Sequence, residues 1–163
     1  MKIAIAVSLF LAWSMASAAA GPYTFTGVGL CSMCHRGDAN HLVFEKWLAS
    51  KHAGAFKRLD PAKGEDKNPE CVGCHTTGFG AGGYAIGADN AAKFEGVQCE
   101  ACHGAGSAYK AVAVMKNRTL ALQNGMIVPT EETCKTCHRS ASPTFKGFDF
   151  TQALKMIDHR YRK

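Results

Sequence analysis

Eight cysteines and four of the seven histidines stand in one arrangement that occurs four times along the chain. Cys31 and Cys34, Cys71 and Cys74, Cys99 and Cys102, and Cys134 and Cys137 are pairs at C-x-x-C spacing, with no cysteine left over. A histidine follows each pair at once: His35, His75, His103 and His138. On a helical turn, residues i, i+3 and i+4 share a face. Two thiols so placed can form thioethers with the vinyl groups of one haem, and the adjacent imidazole then sits beneath the iron as its proximal ligand. Zinc sites also use C-x-x-C pairs, and exported chains use cysteines in disulfides, but neither needs a histidine after every pair. The pattern predicts four covalently attached c-type haems.

Three histidines, His41, His52 and His159, remain for the sixth positions of four irons. At least one haem therefore lacks a distal histidine from its own chain, and is open, methionine-ligated or ligated by a neighbouring molecule. His52, in WLASKHAGAF beside Trp47, and His159, in IDHRYRK, are the leading distal ligands. His41 lies six residues beyond His35 in a polar segment, where solvent exposure competes with ligation. Met115, twelve residues past His103, is the methionine candidate, although an apolar helix position also explains it. No acid–base pair or nucleophile group stands out elsewhere.

The elements that carry these residues must be short. The full chain has 163 residues, a one-domain length. Residues 1–20 read as an export signal, with Lys2 as n-region, an apolar run from Ile3 to Trp13, and cleavage sites ending at Ala18 or Ala20. That leaves residues 21–163 as a single tetrahaem domain destined for the periplasm or the extracellular space. No second long apolar stretch follows, so stable membrane insertion is not expected. Four haems on so few residues leave too little polypeptide for a conventional core. The expected fold is mainly α and loop-rich, with a haem-centred core and little or no sheet.

The motif starts lie 40, 28 and 35 residues apart, which is no solenoid period. Apolar spacing predicts a helix from near Leu42 to Leu59, with Phe44, Leu48 and His52 on one face. Asp60 to Asn68 reads as a charged loop, and Gly78 to Gly87 is too rich in glycine for a regular helix. A helix is expected from Ser107 to Gln123, closed near Gly125. Thr130, with Glu131 and Glu132 behind it, starts the helix of the fourth motif. Asp149 and Gln152 resemble a capping box opening a last helix that carries Leu154, Ile157 and His159.

The formal charge of +6 suggests an anionic partner, yet the propionates of four haems would offset it, and no nucleic-acid motif is present. Net charge is a poor guide to partners here.

Taken in order, WLASKHAGAF, ECVGCHTTGFGAGGY, GVQCEACHGAGSAY, CKTCH and FDFTQALKMIDHRY span most of residues 21–163. In these runs the chain resembles the cytochrome c-554 family of tetrahaem electron carriers. The resemblance implies closely packed haems on a mostly helical fold, with three bis-histidine irons and one five-coordinate iron, the second. Carried over, His52 would be distal to the third haem (His103) and His159 to the fourth (His138), leaving the second (His75) open. The family's first haem takes a distal histidine about ten residues after the third motif; here that neighbourhood reads KAVAVMK. The first haem, on His35, then takes His41, Met115 or nothing.

Electron transfer between a redox donor and a redox acceptor is the expected role. Reduction of a small ligand such as nitric oxide at an open haem is the alternative, and a filament joined through shared haem ligands is a second one. Mass spectrometry of natively matured protein should show four added macrocycles on the processed chain. The bare polypeptide mass would end the haem reading.

Overall fold

A computed structural model describes residues 22–159. The export segment expected at residues 1–20, and the basic tail after His159, lie outside the described residues. Eight α-helices are joined by turns and short 3-10 segments. The helices are α1 (Val28–His35), α2 (Val43–Leu48), α3 (Pro69–His75), α4 (Cys99–His103), α5 (Val112–Met115), α6 (Arg118–Gln123), α7 (Glu131–Lys135) and α8 (Phe150–Ile157). Extended pairing among the described residues is confined to one isolated bridge, Thr76 to Glu95. The fold is mainly helical, with essentially no sheet, as expected.

Each of the first three haem motifs ends a helix. Asn68 caps α3 by accepting from Glu70 N at 3.0 Å, and Pro69 supplies a preset first position. α1 has no cap of its own: Gln98 Oε1 accepts from Val28 N at 2.8 Å, and Glu100 holds Gly27 N. In the fourth motif α7 stops at Lys135, but His138 N still reaches Cys134 O at 2.9 Å, so the turn continues through the motif. Thr130 starts α7 as expected, its N–H donating to Thr133 Oγ1 at 3.1 Å.

Two expected helices are shorter than their sequence pattern. The helix expected from Leu42 to Leu59 ends at Leu48, and His52 sits in a turn. Tertiary partners take the carbonyls that a continuing helix would use: Val97 N donates to His52 O at 2.9 Å, and His75 Nδ1 to Ala55 O at 2.7 Å. Phe44 is buried but Leu48 is exposed, so the expected apolar face is incomplete. The helix expected from Ser107 to Gln123 divides into α5 and α6 at Asn117, whose side chain accepts from Leu120 N at 3.1 Å and restarts the helix. Asn124 and Gly125, at φ 93°, close α6. His159, expected on the last helix, lies two residues past its end.

The polypeptide core is small. Leu59, Val72, Tyr84 and Phe94 form it, with Phe25, Phe56 and Phe79 packed alongside. The glycine loop forms turns, as expected, and Gly78 lets the Phe25 ring lie against its Cα, where a Cβ would come within 2.8 Å. Beyond Ala121 no described residue is buried, although Phe145, Phe148, Leu154 and Ile157 are all there. Among them Phe148 finds a partner in the His138 ring, on which it stacks.

The start of α8, the helix preceding His159, depends on Asp149 Oδ1 accepting from Gln152 N at 3.0 Å. Asp149→Ala is expected to cost about 1 kcal/mol in denaturant unfolding of the holoprotein. An unchanged midpoint would mean that the cap does not stabilise α8.

Candidate haem-attachment site

The fold brings cysteines from different motifs together. Cys31 and Cys99 share a hydrogen bond, which lowers the pKa of Cys31 and, ahead of burial, raises that of Cys99. Burial, followed by the nearby Cys137, pushes Cys74 up to about 11. Burial, followed by Cys134 and Cys137, pushes Cys102 up to about 11. The first motif thus meets the third, the third meets the fourth, and the fourth meets the second.

The histidines are oriented by backbone carbonyls. His75 Nδ1 lies 2.7 Å from Ala55 O, His103 Nδ1 lies 3.2 Å from Ile127 O, and His159 Nδ1 lies 3.1 Å from Ile157 O. A carbonyl oxygen only accepts, so Nδ1 is the donor in each contact, and Nε2 is the nitrogen left for a metal. That is the tautomer a metal-bound imidazole needs.

Two ring pairs form. His52 faces His138 with centroids 6.0 Å apart, and His103 faces His159 at 5.9 Å. An iron held between two imidazoles sets a similar spacing: two metal–nitrogen bonds of about 2 Å, plus about 1 Å from each nitrogen to its ring centre, give about 6 Å. Burial first, and then the neighbouring His138, lowers the His52 pKa; burial is also the main cause of the lowering at His103 and His35. All three are thereby favoured in the neutral form that binds metal. Phe148 stacks on His138 at 4.9 Å and 15°, fixing its ring plane. The cysteine pairs, the free Nε2 positions and the ring spacing fit haem.

The pairing corrects one expectation. His52 was expected beside His103, and His159 beside His138; the structure places them the other way round. The backbone of His52 is pinned to Val97, just ahead of the third motif, and Trp47 Nε1 reinforces this by donating to Val97 O at 2.8 Å. The imidazole, however, leaves toward the fourth motif. His35 and His75 belong to neither ring pair. His41 is exposed in a left-handed turn at φ 58°, and Met115 is half-buried at the end of α5.

Sequence reading did not identify the carbonyls of Ala55, Ile127 and Ile157, which carry no side-chain signature. It also passed over Glu100, although C-E-A-C-H displayed that residue inside a motif. Glu100 is buried, and both its oxygens accept hydrogen bonds from the segment leading into α1.

The family model described as cytochrome c554 and c-prime matches residues 30–104. Cytochrome c-554 of Nitrosomonas europaea is 32% identical over 187 aligned positions, covering 96% of this chain and 76% of that protein. The solved structure of reduced cytochrome c554 from Nitrosomonas europaea superposes with a TM-score of 0.58 at 27% identity. That match covers 86% of this chain and 79% of the other. With this motif order, fold and relationship, the chain belongs to the cytochrome c-554 family and is an electron-transferring c-type cytochrome with haem as its cofactor.

Proposed function

We propose that the chain is a periplasmic relay holding four covalent haems in the order first, third, fourth, second, and passing electrons between two redox proteins. The single observation that carries this reading is the pair of histidine contacts near 6 Å, each joining a motif histidine to a histidine from outside the motifs. Cys31 and Cys34, Cys71 and Cys74, Cys99 and Cys102, and Cys134 and Cys137 anchor the four groups. His35, His75, His103 and His138 are the proximal ligands. His52 is distal on the fourth haem, and His159 on the third. The second, on His75, keeps an open position, and the first, on His35, takes Met115 or His41 or stays open.

The bound haems supply one-electron carriage, and the polypeptide sets potentials through ligands, burial and neighbouring charge. The chain's own contribution is spacing and orientation. Three proximities support the order: Cys31 lies beside Cys99, Cys137 beside Cys74, and Cys102 within electrostatic reach of Cys134 and Cys137. The first and second sites thus stand at opposite ends of the series, where donor and acceptor would dock. The export signal read at residues 1–20 supports a location outside the cytoplasmic membrane. Among the described residues no helix is long and apolar enough to cross a membrane.

The test is electron paramagnetic resonance of oxidised holoprotein, with reductive titration. Four electrons per chain are expected. His52→Ala and His159→Ala should each convert one low-spin iron to high spin without changing the haem mass. Wild-type uptake of fewer than four electrons, or unchanged low-spin signals in both variants, would overturn the assignment.

A further inference from the structure

Glu100 stands between Cys99 and Cys102, yet only 2% of it is exposed. Its carboxylate accepts from Thr26 N at 2.9 and 3.0 Å, from Thr26 Oγ1 at 3.1 Å, from Gly27 N at 2.7 Å and from Gly106 N at 2.6 Å. Every partner is a donor, so both oxygens act as acceptors, the role of an ionised carboxylate. No lysine or arginine pairs with Glu100 among the described residues. Among the described residues, backbone and hydroxyl dipoles compensate the charge.

These bonds connect two haem motifs. Thr26 and Gly27 lead directly into α1, which carries Cys31, Cys34 and His35, whereas Glu100 belongs to α4, which carries Cys99, Cys102 and His103. Gln98 acts in parallel through Val28 N, so two side chains of the third motif's approach supply the cap that α1 lacks. Gly106 completes the cradle: a Cβ there would lie 2.9 Å from Glu100 Oε1. The run C-E-A-C-H-G-A-G is therefore an attachment motif with an anion and its receptor built in.

The charge also sits in one electrostatic neighbourhood with both attachment sites. Burial raises the Tyr109 phenol above its ordinary range, followed by Glu100, Cys31 and Cys99 in that order. In a poorly solvated interior such a charge is weakly screened. A fixed negative charge favours ferric over ferrous iron, because the ferric state carries one more positive charge.

Resting on the four-haem reading above, we propose that Glu100 is a positioning residue that fixes the first and third haem sites against each other, and that its buried charge holds down the reduction potentials of that pair. Gln98 shares the positioning but not the charge.

The experiment is a potentiometric titration of the holoprotein, resolved centre by centre, with haem content checked by mass. Glu100→Gln is expected to retain four haems and raise two of the four potentials. Each should shift by about tenfold in the reduction equilibrium, about 59 mV for a one-electron centre. Gln98→Ala removes the parallel cap without changing charge, and should leave all four potentials in place. The proposal is overturned if Glu100→Gln moves no potential, or if Gln98→Ala moves the same two equally. Where Glu100→Gln yields no holoprotein, Glu100→Asp decides. It keeps the charge one methylene farther back, so unshifted potentials with a lower unfolding midpoint support the proposal, and an upward shift of the pair sinks it. Wild-type protein lacking four haems would instead remove the reading on which this inference rests.

Discussion

An imidazole holds a metal well only when its second nitrogen is already committed, and that requirement shapes this chain more than any apolar contact. Ala55, Ile127 and Ile157 each direct a carbonyl at a histidine Nδ1. A carbonyl used in this way, or accepting from another segment as His52 O does from Val97 N, is diverted from a long helix. The result is a molecule of short helices, several ending at or near a histidine. Past the end of α2 at Leu48, His52 O and Ala55 O accept from Val97 N and His75 Nδ1, and that stretch stays in turns.

Glycines serve the same end where backbones must approach closely. Gly96, at φ 80°, brings its N–H to His75 O at 3.1 Å and lies against the backbone of His52 and Ala53. Thr77 Oγ1 donates to Gly96 O at 2.8 Å and accepts from Gln98 N at 2.9 Å. This short run therefore ties the second motif, the turn carrying His52 and the start of the third motif into one unit. Gly104, at φ 82°, plays a similar part at the end of α4, where a Cβ would lie 2.7 Å from Gly125 O. Gly96 and Gly104 thus mark places where two backbones must nearly touch.

The contrast between the two ends of the chain follows from what each segment can bury. The stretch around Leu59, Val72, Tyr84 and Phe94 packs on itself, and Glu100 and Gln98 join it to α1. After Ala121 the described residues rely on rings and short caps: Phe148 on His138, Thr133 on Thr130, Asp149 on Gln152. A haem-centred fold accounts for both, because flat apolar groups replace the side chains that a conventional domain of this length would bury.

The sequence by itself determined the chemistry. Four C-x-x-C-H runs carry the proposed covalent haem sites, since thiol and imidazole must share one helical turn, and local spacing is all that this demands. Helix starts at Thr130 and Asp149 were legible for the same reason: a cap is an interaction within three or four residues. What only the tertiary structure decided is which histidine meets which. His52 and His159 are far in sequence from His138 and His103, and a ring's direction depends on where its backbone is pinned, as Val97 pins His52. The order of the motifs in space and the anchoring carbonyls are likewise long-range. So is the meeting of Glu100 with Thr26 and Gly27, which lies between residues more than seventy positions apart. Local periodicity carries no record of such contacts, and for this reason the long helix expected around His52 gave way to turns after Leu48.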